Sequence, residues 1–203
     1  MINKMKKNSQ DEILEILFRQ FSRIWIITSL SEEINLSRVG IWKVLKKLEK
    51  ENLIFLVSVG TGKTNSKTIK LNWENPLLEK KLSLILTKEA LEQQRWLKNF
   101  AELEKITDFT LLYGSILFSS KEANDIDILG VITNKKNFLK IDDAIQKIQK
   151  TQTKKIHSEI FTKEELNEEI KKSNEIFLDA LKKGIILFGQ EKFINFVKNL
   201  SIR

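Results

Sequence analysis

The chain has 203 residues, 41% of them apolar and 31% charged, a balance that points to a folded globular protein and excludes a disordered one. It has no cysteine and one histidine, which excludes a disulfide framework, a thiolate zinc site and a cysteine nucleophile, and argues against a histidine-rich metal cluster. Net charge is +8, and +5 of it falls in residues 1–75, where 13 basic residues stand against 8 acidic ones, so the first third of the chain implies a polyanionic partner, most simply nucleic acid.

Residues 1–7 are basic, but polar residues rather than an apolar core follow them, so they do not read as a signal peptide. No apolar run reaches the length of a bilayer span, and the expectation is a cytoplasmic protein with no membrane partner. Over 11–21, Ile13, Leu14, Leu17, Phe18 and Phe21 recur at helical spacing. A short second helix is predicted over 28–34. Ser37 is placed as the N-cap of a third helix over 38–51, with Ile41, Leu45 and Leu48 as its buried stripe. Strands are predicted over 55–59 and 67–71, joined by the polar turn 60–66. Within that turn Gly60-Thr61-Gly62-Lys63-Thr64 imitates the end of a Walker A loop, but Val57 stands where the first Gly is required and a strand follows it instead of a helix.

Three helices followed by a β-hairpin resemble a winged helix-turn-helix domain over about 11–73. The resemblance implies binding of double-stranded DNA and a role in transcription regulation. The third helix would enter the major groove and the hairpin would act as a wing. On that basis Ser37, Arg38, Lys43 and Lys47 are the expected helix contacts, with Lys63 and Lys67 on the wing. Contacts of this kind position a protein on the duplex more than they read its sequence.

Residues 82–106 read as one long amphipathic segment, with Leu82, Leu86, Ala90, Trp96, Leu97, Phe100 and Leu103 near one face. It is either a connecting helix, the favoured reading, or the interface of a homodimer suited to paired DNA half-sites. An apolar strand, 109–113, then runs into Gly114-Ser115, and a second strand opens with Asp125-Ile126-Asp127. Residues i and i+2 of a strand share a face, so the two carboxylates project side by side and repel each other unless a cation lies between them. Oxygen ligands of this kind suit Mg²⁺. Gly-Ser after a strand offers backbone N–H groups and a hydroxyl to a phosphate.

Gly-Ser followed by Asp-x-Asp resembles the minimal nucleotidyltransferases of the DNA polymerase β superfamily, over about 109–188. The resemblance implies that Gly114 and Ser115 hold the triphosphate of a nucleoside triphosphate, and that Asp125 and Asp127 bind Mg²⁺. It also implies a third carboxylate on a later strand. The candidate is Glu159, the only acid in the strand predicted over 155–161, because Asp142 and Asp143 lie in what reads as a surface helix, 137–150. His157, in that same strand, is expected to be satisfied by its neighbours. The pattern departs from the family where an Arg and a second Gly usually follow Gly-Ser, since here Ile116-Leu117-Phe118-Ser119 stands. The gap to Asp125 is also about one residue short. Helices are predicted over 163–172, 174–183 and 190–200, with an apolar strand at 185–189.

The whole is read as an α+β chain of three parts: a winged helix over 1–75, a linker helix over 76–106 and a nucleotidyltransferase-like domain over 107–203. Two activities fit it. One is transfer of a nucleoside monophosphate to a protein, RNA or small-molecule acceptor, with Asp125, Asp127 and Glu159 catalytic. The other is a DNA-binding regulator, or an antitoxin-like protein, with a degenerate transferase domain.

Overall fold

The structure, a computed structural model, describes residues 8–59 and 66–201. The chain divides into two compact units, residues 1–85 with 201–203, and residues 86–200. No described helix is long and apolar enough to cross a membrane.

In the first unit, helix α1 (Ser9–Arg19) begins where the Asn8 side chain accepts a hydrogen bond from the Gln10 N–H. Asp11 and Glu12 in its first turn and Arg19 in its last complement the helix dipole. Strand β1 (Trp25–Ile26) is too short to show a period in the sequence, which predicts no strand there. Helix α2 (Ile27–Ile34) ends at Asn35, whose φ of 56° is a left-handed cap. Helix α3 (Arg38–Lys50) starts with the Ser37 hydroxyl accepting from the Gly40 N–H at 3.1 Å, and it buries Ile41, Leu45 and Leu48 completely. Strands β2 (Ile54–Val59) and β3 (Ser66–Leu71) form an antiparallel pair, and the sheet order is β1-β3-β2. The turn 60–65, which includes Lys63, lies outside the described residues.

The segment expected as one amphipathic helix over 82–106 is broken. Helix α4 (Pro76–Leu91) stops, α5 (Gln94–Asn99) follows, and a 3₁₀ turn spans Ala101–Lys105. The spacing explains the break. Ala90 and Trp96 are six residues apart, which does not return to the same helical face, and the run 92–95 between them is entirely polar. Restarting the helix after Gln93 puts both Trp96 and Phe100 into the core of the second unit, where their rings stack at 6.1 Å.

That unit is built on a mixed sheet of order β6-β5-β4-β7, from β4 (Phe109–Tyr113), β5 (Asp125–Ile132), β6 (Lys155–Thr162) and β7 (Ile185–Phe188). β4 is antiparallel to β5 and to β7, whereas β5 and β6 are parallel. A parallel pair needs a crossover, and α6 (Asn137–Gln149) supplies it. Alternation divides the sheet. Ile126, Ile128 and Ile156 join Phe100, Leu103, Ile141 and Ile145 in one core. The opposite face carries Phe109 against Phe193 at 5.4 Å and Phe161 against Phe177 at 5.0 Å, from helices α8 (Glu175–Lys183) and α9 (Gln190–Ser201). Between β6 and α8, α7 (Lys163–Lys171) opens with a capping box of Thr162 and Glu165.

Asp108, just before β4, ties this unit together. Its carboxylate accepts from Lys192 Nζ at 2.8 Å and from the Thr133 hydroxyl, with Lys163 Nζ at 3.4 Å. Burial alone would raise its pKa, but the bonds from Lys192 and Thr133 outweigh it and hold the group below its usual value. A depressed carboxylate pKa contributes stability above the ordinary carboxylate range and loses it as pH falls through the folded value. Asp108→Asn should therefore cost about 2 kcal/mol at pH 7 and progressively less below about pH 4, read by urea unfolding at both values. An equal cost at pH 7 and pH 2 would contradict the ionic account.

Candidate metal centre

The N-terminal ends of β5 and β6 meet the C-terminal end of β4 at one end of the second unit's sheet. Along β5, Ile126 and Ile128 are buried while Asp125 and Asp127 alternate with them toward the other face and stay partly exposed. In the parallel register Asp127 lies opposite His157, and Asp125 lies opposite Lys155. His157 Nδ1 is 3.3 Å from Asp125 Oδ2 and 3.6 Å from Asp127 Oδ1. One ligand atom from each of the three lies within 4.8 Å of the others, a grouping suited to a divalent cation.

His157 is what the sequence reading missed. Expected as a strand residue satisfied by its neighbours, it has both carboxylates as those neighbours. The signal that could have found it is its place in a strand that follows a crossover helix, since parallel strands bring their N-terminal ends together. Glu159, the expected third carboxylate, is opposite Leu129, one pleat farther along β6, exposed and outside the grouping of three. It shares the His157 face, and its charge reaches Tyr113.

Gly114 and Ser115 fall where the sequence places them, at the turn after β4. Gly114 has φ of 79°, a conformation that favours glycine, and a Cβ there would collide with the carboxylate of Asp127. The absence of a side chain thus lets Asp127 pack against the turn. Ser115 is exposed and opens a 3₁₀ turn, Ser115–Leu117. Phe118, in the run 116–119 that follows this turn, is 80% exposed.

The electrostatics fit an unneutralised anionic site. Asp127 titrates above its usual value because burial disfavours its charge and Asp125 repels it, against a smaller opposing pull from His157. Tyr113 is directly opposite Asp127 across the β4–β5 pair. Burial, then the charges of Asp127, Glu159 and Asp125, push its hydroxyl up to about 12, so at neutral pH it remains a hydrogen-bond donor beside the carboxylates.

In the first unit, Arg38, Lys43 and Lys47 are exposed on α3. The Ser37 hydroxyl oxygen is already used as the helix cap, although its O–H can still donate. Lys67, on β3, has its ammonium 5.4 Å from the Trp42 ring of α3, and Lys46 lies over the same ring at 5.0 Å. Trp42 therefore joins hairpin and helix in one basic, aromatic patch that the sequence reading did not single out. Comparison with protein-family models, curated proteins and solved structures returns no match to this chain.

Proposed function

We propose that the chain is a winged helix-turn-helix module joined to a nucleotidyltransferase-like domain of the DNA polymerase β kind, which moves a nucleoside monophosphate from a nucleoside triphosphate to a hydroxyl of a protein or RNA acceptor. The observation that carries this reading is the gathering of Asp125, Asp127 and His157 within 4.8 Å, beside a glycine turn whose close approach to Asp127 requires glycine. The antiparallel β4–β5 pair, followed by a crossover to a parallel β6, supports it.

In this reading Asp125 and Asp127 hold a divalent cation, Mg²⁺ in the family the sequence resembles, which when bound supplies charge stabilisation for the phosphates and for the attacking oxygen. Gly114 lets the Asp127 carboxylate sit against the turn that would receive the triphosphate, and the Ser115 hydroxyl donates to a phosphate oxygen. Lys155, in register with Asp125 and on the His157 face, is a cation that can serve where the family's Arg is absent. The acceptor hydroxyl oxygen bonds to the α-phosphorus, the bond to the β-phosphate oxygen breaks, and pyrophosphate leaves. The acceptor's proton passes to Glu159. The test is incubation of the purified protein with α-labelled nucleoside triphosphates, a divalent cation and cell extract. Label should appear on one acceptor together with pyrophosphate; no transfer with any nucleotide would remove the enzymatic reading.

The run Ile116-Leu117-Phe118-Ser119, which lacks the family's Arg and second Gly, favours a second reading, a DNA-binding regulator or antitoxin-like protein that binds nucleotide without turnover. Both readings share the DNA module. Its support is the element order α1-β1-α2-α3-β2-β3, with an exposed basic face on α3 and Lys67 beside Trp42. Lys43→Ala with Lys47→Ala should weaken duplex binding roughly 10-fold or more near physiological salt. It should also flatten the log K against log[salt] plot by about two units of slope. An unchanged slope would take α3 off the duplex.

A further inference from the structure

The ligand set at this centre is not an all-oxygen one. Two carboxylates and an imidazole nitrogen converge from adjacent strands, and the nitrogen enters through the backbone register that sets His157 opposite Asp127. Mg²⁺ prefers oxygen donors and retains water in place of other ligands, whereas imidazole suits Fe²⁺, Ni²⁺, Cu²⁺ and Zn²⁺, with Mn²⁺ the weakest of the first-row ions at a mixed nitrogen–oxygen site. Donors held about 2.1 Å from one ion at tetrahedral to octahedral angles lie roughly 3.0–3.5 Å from each other. The nitrogen-to-oxygen separations of 3.3 and 3.6 Å are therefore close to the edges of such a coordination shell before any ion draws them in. Proximity to Asp125 and Asp127 alone would be equally served by a protonated imidazole acting as their counter-ion, and that is the rival account.

We propose that His157 is the third metal ligand and that it directs this centre to a first-row transition ion in preference to Mg²⁺. The proposal rests on Asp125 and Asp127 being metal ligands, and goes beyond the family resemblance, which implies a carboxylate in the third place and Mg²⁺ in the site. His157 acts here by binding the ion, not by moving protons in the reaction. Glu159, one pleat away, is left for the acceptor.

The test uses the full chain and the ions alone, without nucleotide. Mn²⁺, Co²⁺ and Mg²⁺ are titrated calorimetrically into the parent, His157→Ala and His157→Asp. The bound Mn²⁺ is then examined by electron spin-echo modulation for a coordinated ¹⁴N. Because His157 is substantially exposed at a strand end, both variants should fold, and circular dichroism checks this. The parent should bind Mn²⁺ and Co²⁺ at least about 10-fold more tightly than Mg²⁺ and show imidazole nitrogen coupling. His157→Ala should lose roughly 10- to 100-fold in Mn²⁺ affinity together with the nitrogen signal. His157→Asp should lose the signal but keep an ion site, with the preference over Mg²⁺ reduced about 10-fold. Binding of Mn²⁺ without nitrogen coupling, or with unchanged selectivity in His157→Asp, would overturn the proposal while leaving the carboxylate site intact. No binding of any ion by the parent would overturn both the proposal and the metal-dependent reading beneath it.

Discussion

Replacing Asp125 and Asp127 together with Asn should abolish divalent-ion binding and reduce any nucleotidyl transfer by roughly 10³-fold or more, with the protein still folded. Asn matches the shape of Asp, so the alternation of β5 and the packing of Ile126 and Ile128 are kept. What disappears is the charge that, in the proposed reading, holds a cation. The stability change carries its own sign. Burial and Asp125 raise the pKa of Asp127, so its ionised form costs stability at neutral pH, and that cost fades as pH falls through the raised value toward the ordinary carboxylate range. The double variant should therefore unfold at the same temperature as the ion-free parent or higher, measured by thermal denaturation in chelator at pH 7. A variant that still bound Mn²⁺ or Mg²⁺ as the parent does would mean that the ion sits elsewhere. A variant that was markedly less stable in chelator would mean that the pair is a structural feature satisfied by His157.

The second large effect belongs to Gly114. Alanine there would have to adopt φ of 79° and would place a Cβ against the Asp127 carboxylate. Strain and displacement together should cost about 1–3 kcal/mol of stability. Because the displaced group belongs to the proposed ion site, ion affinity should fall about 10- to 100-fold as well. Denaturant unfolding reads the first and calorimetric titration of Mn²⁺ the second. The two should change together. Loss of stability with full ion affinity would separate the glycine turn from the centre.

These two positions were legible in the sequence for a clear reason. A period of two fixes which face Asp125 and Asp127 share, and a Gly after an apolar strand marks a turn that a side chain would obstruct. Both are local facts. His157 was not legible in that way, because its position opposite Asp127 depends on the register of two strands separated by α6. A residue count along β6 cannot supply that register. Glu159 lies one pleat farther along β6, opposite Leu129 and outside the grouping, and that two-residue step is likewise set by register. Tyr113 was read as the last residue of an apolar strand. Its pairing with Asp127 is again non-local.

The fold shows the same division. The buried stripe of α3 and its Ser37 cap follow from spacing and from one hydroxyl, and both are found. The break between α4 and α5 was missed because the run of apolar residues looked continuous when each half was taken alone. The six-residue step from Ala90 to Trp96 held the answer. β1 was missed because two residues carry no period, and only pairing with β3 makes them a strand.

The most direct measurement is anomalous diffraction from crystals of the full chain soaked with Mn²⁺ and a non-hydrolysable nucleoside triphosphate. One strong anomalous peak should appear, bonded to Asp125, Asp127 and His157 Nδ1, with the triphosphate lying along Gly114 and Ser115. A peak outside this group, or a triphosphate bound away from the Gly114 turn, would contradict this assignment.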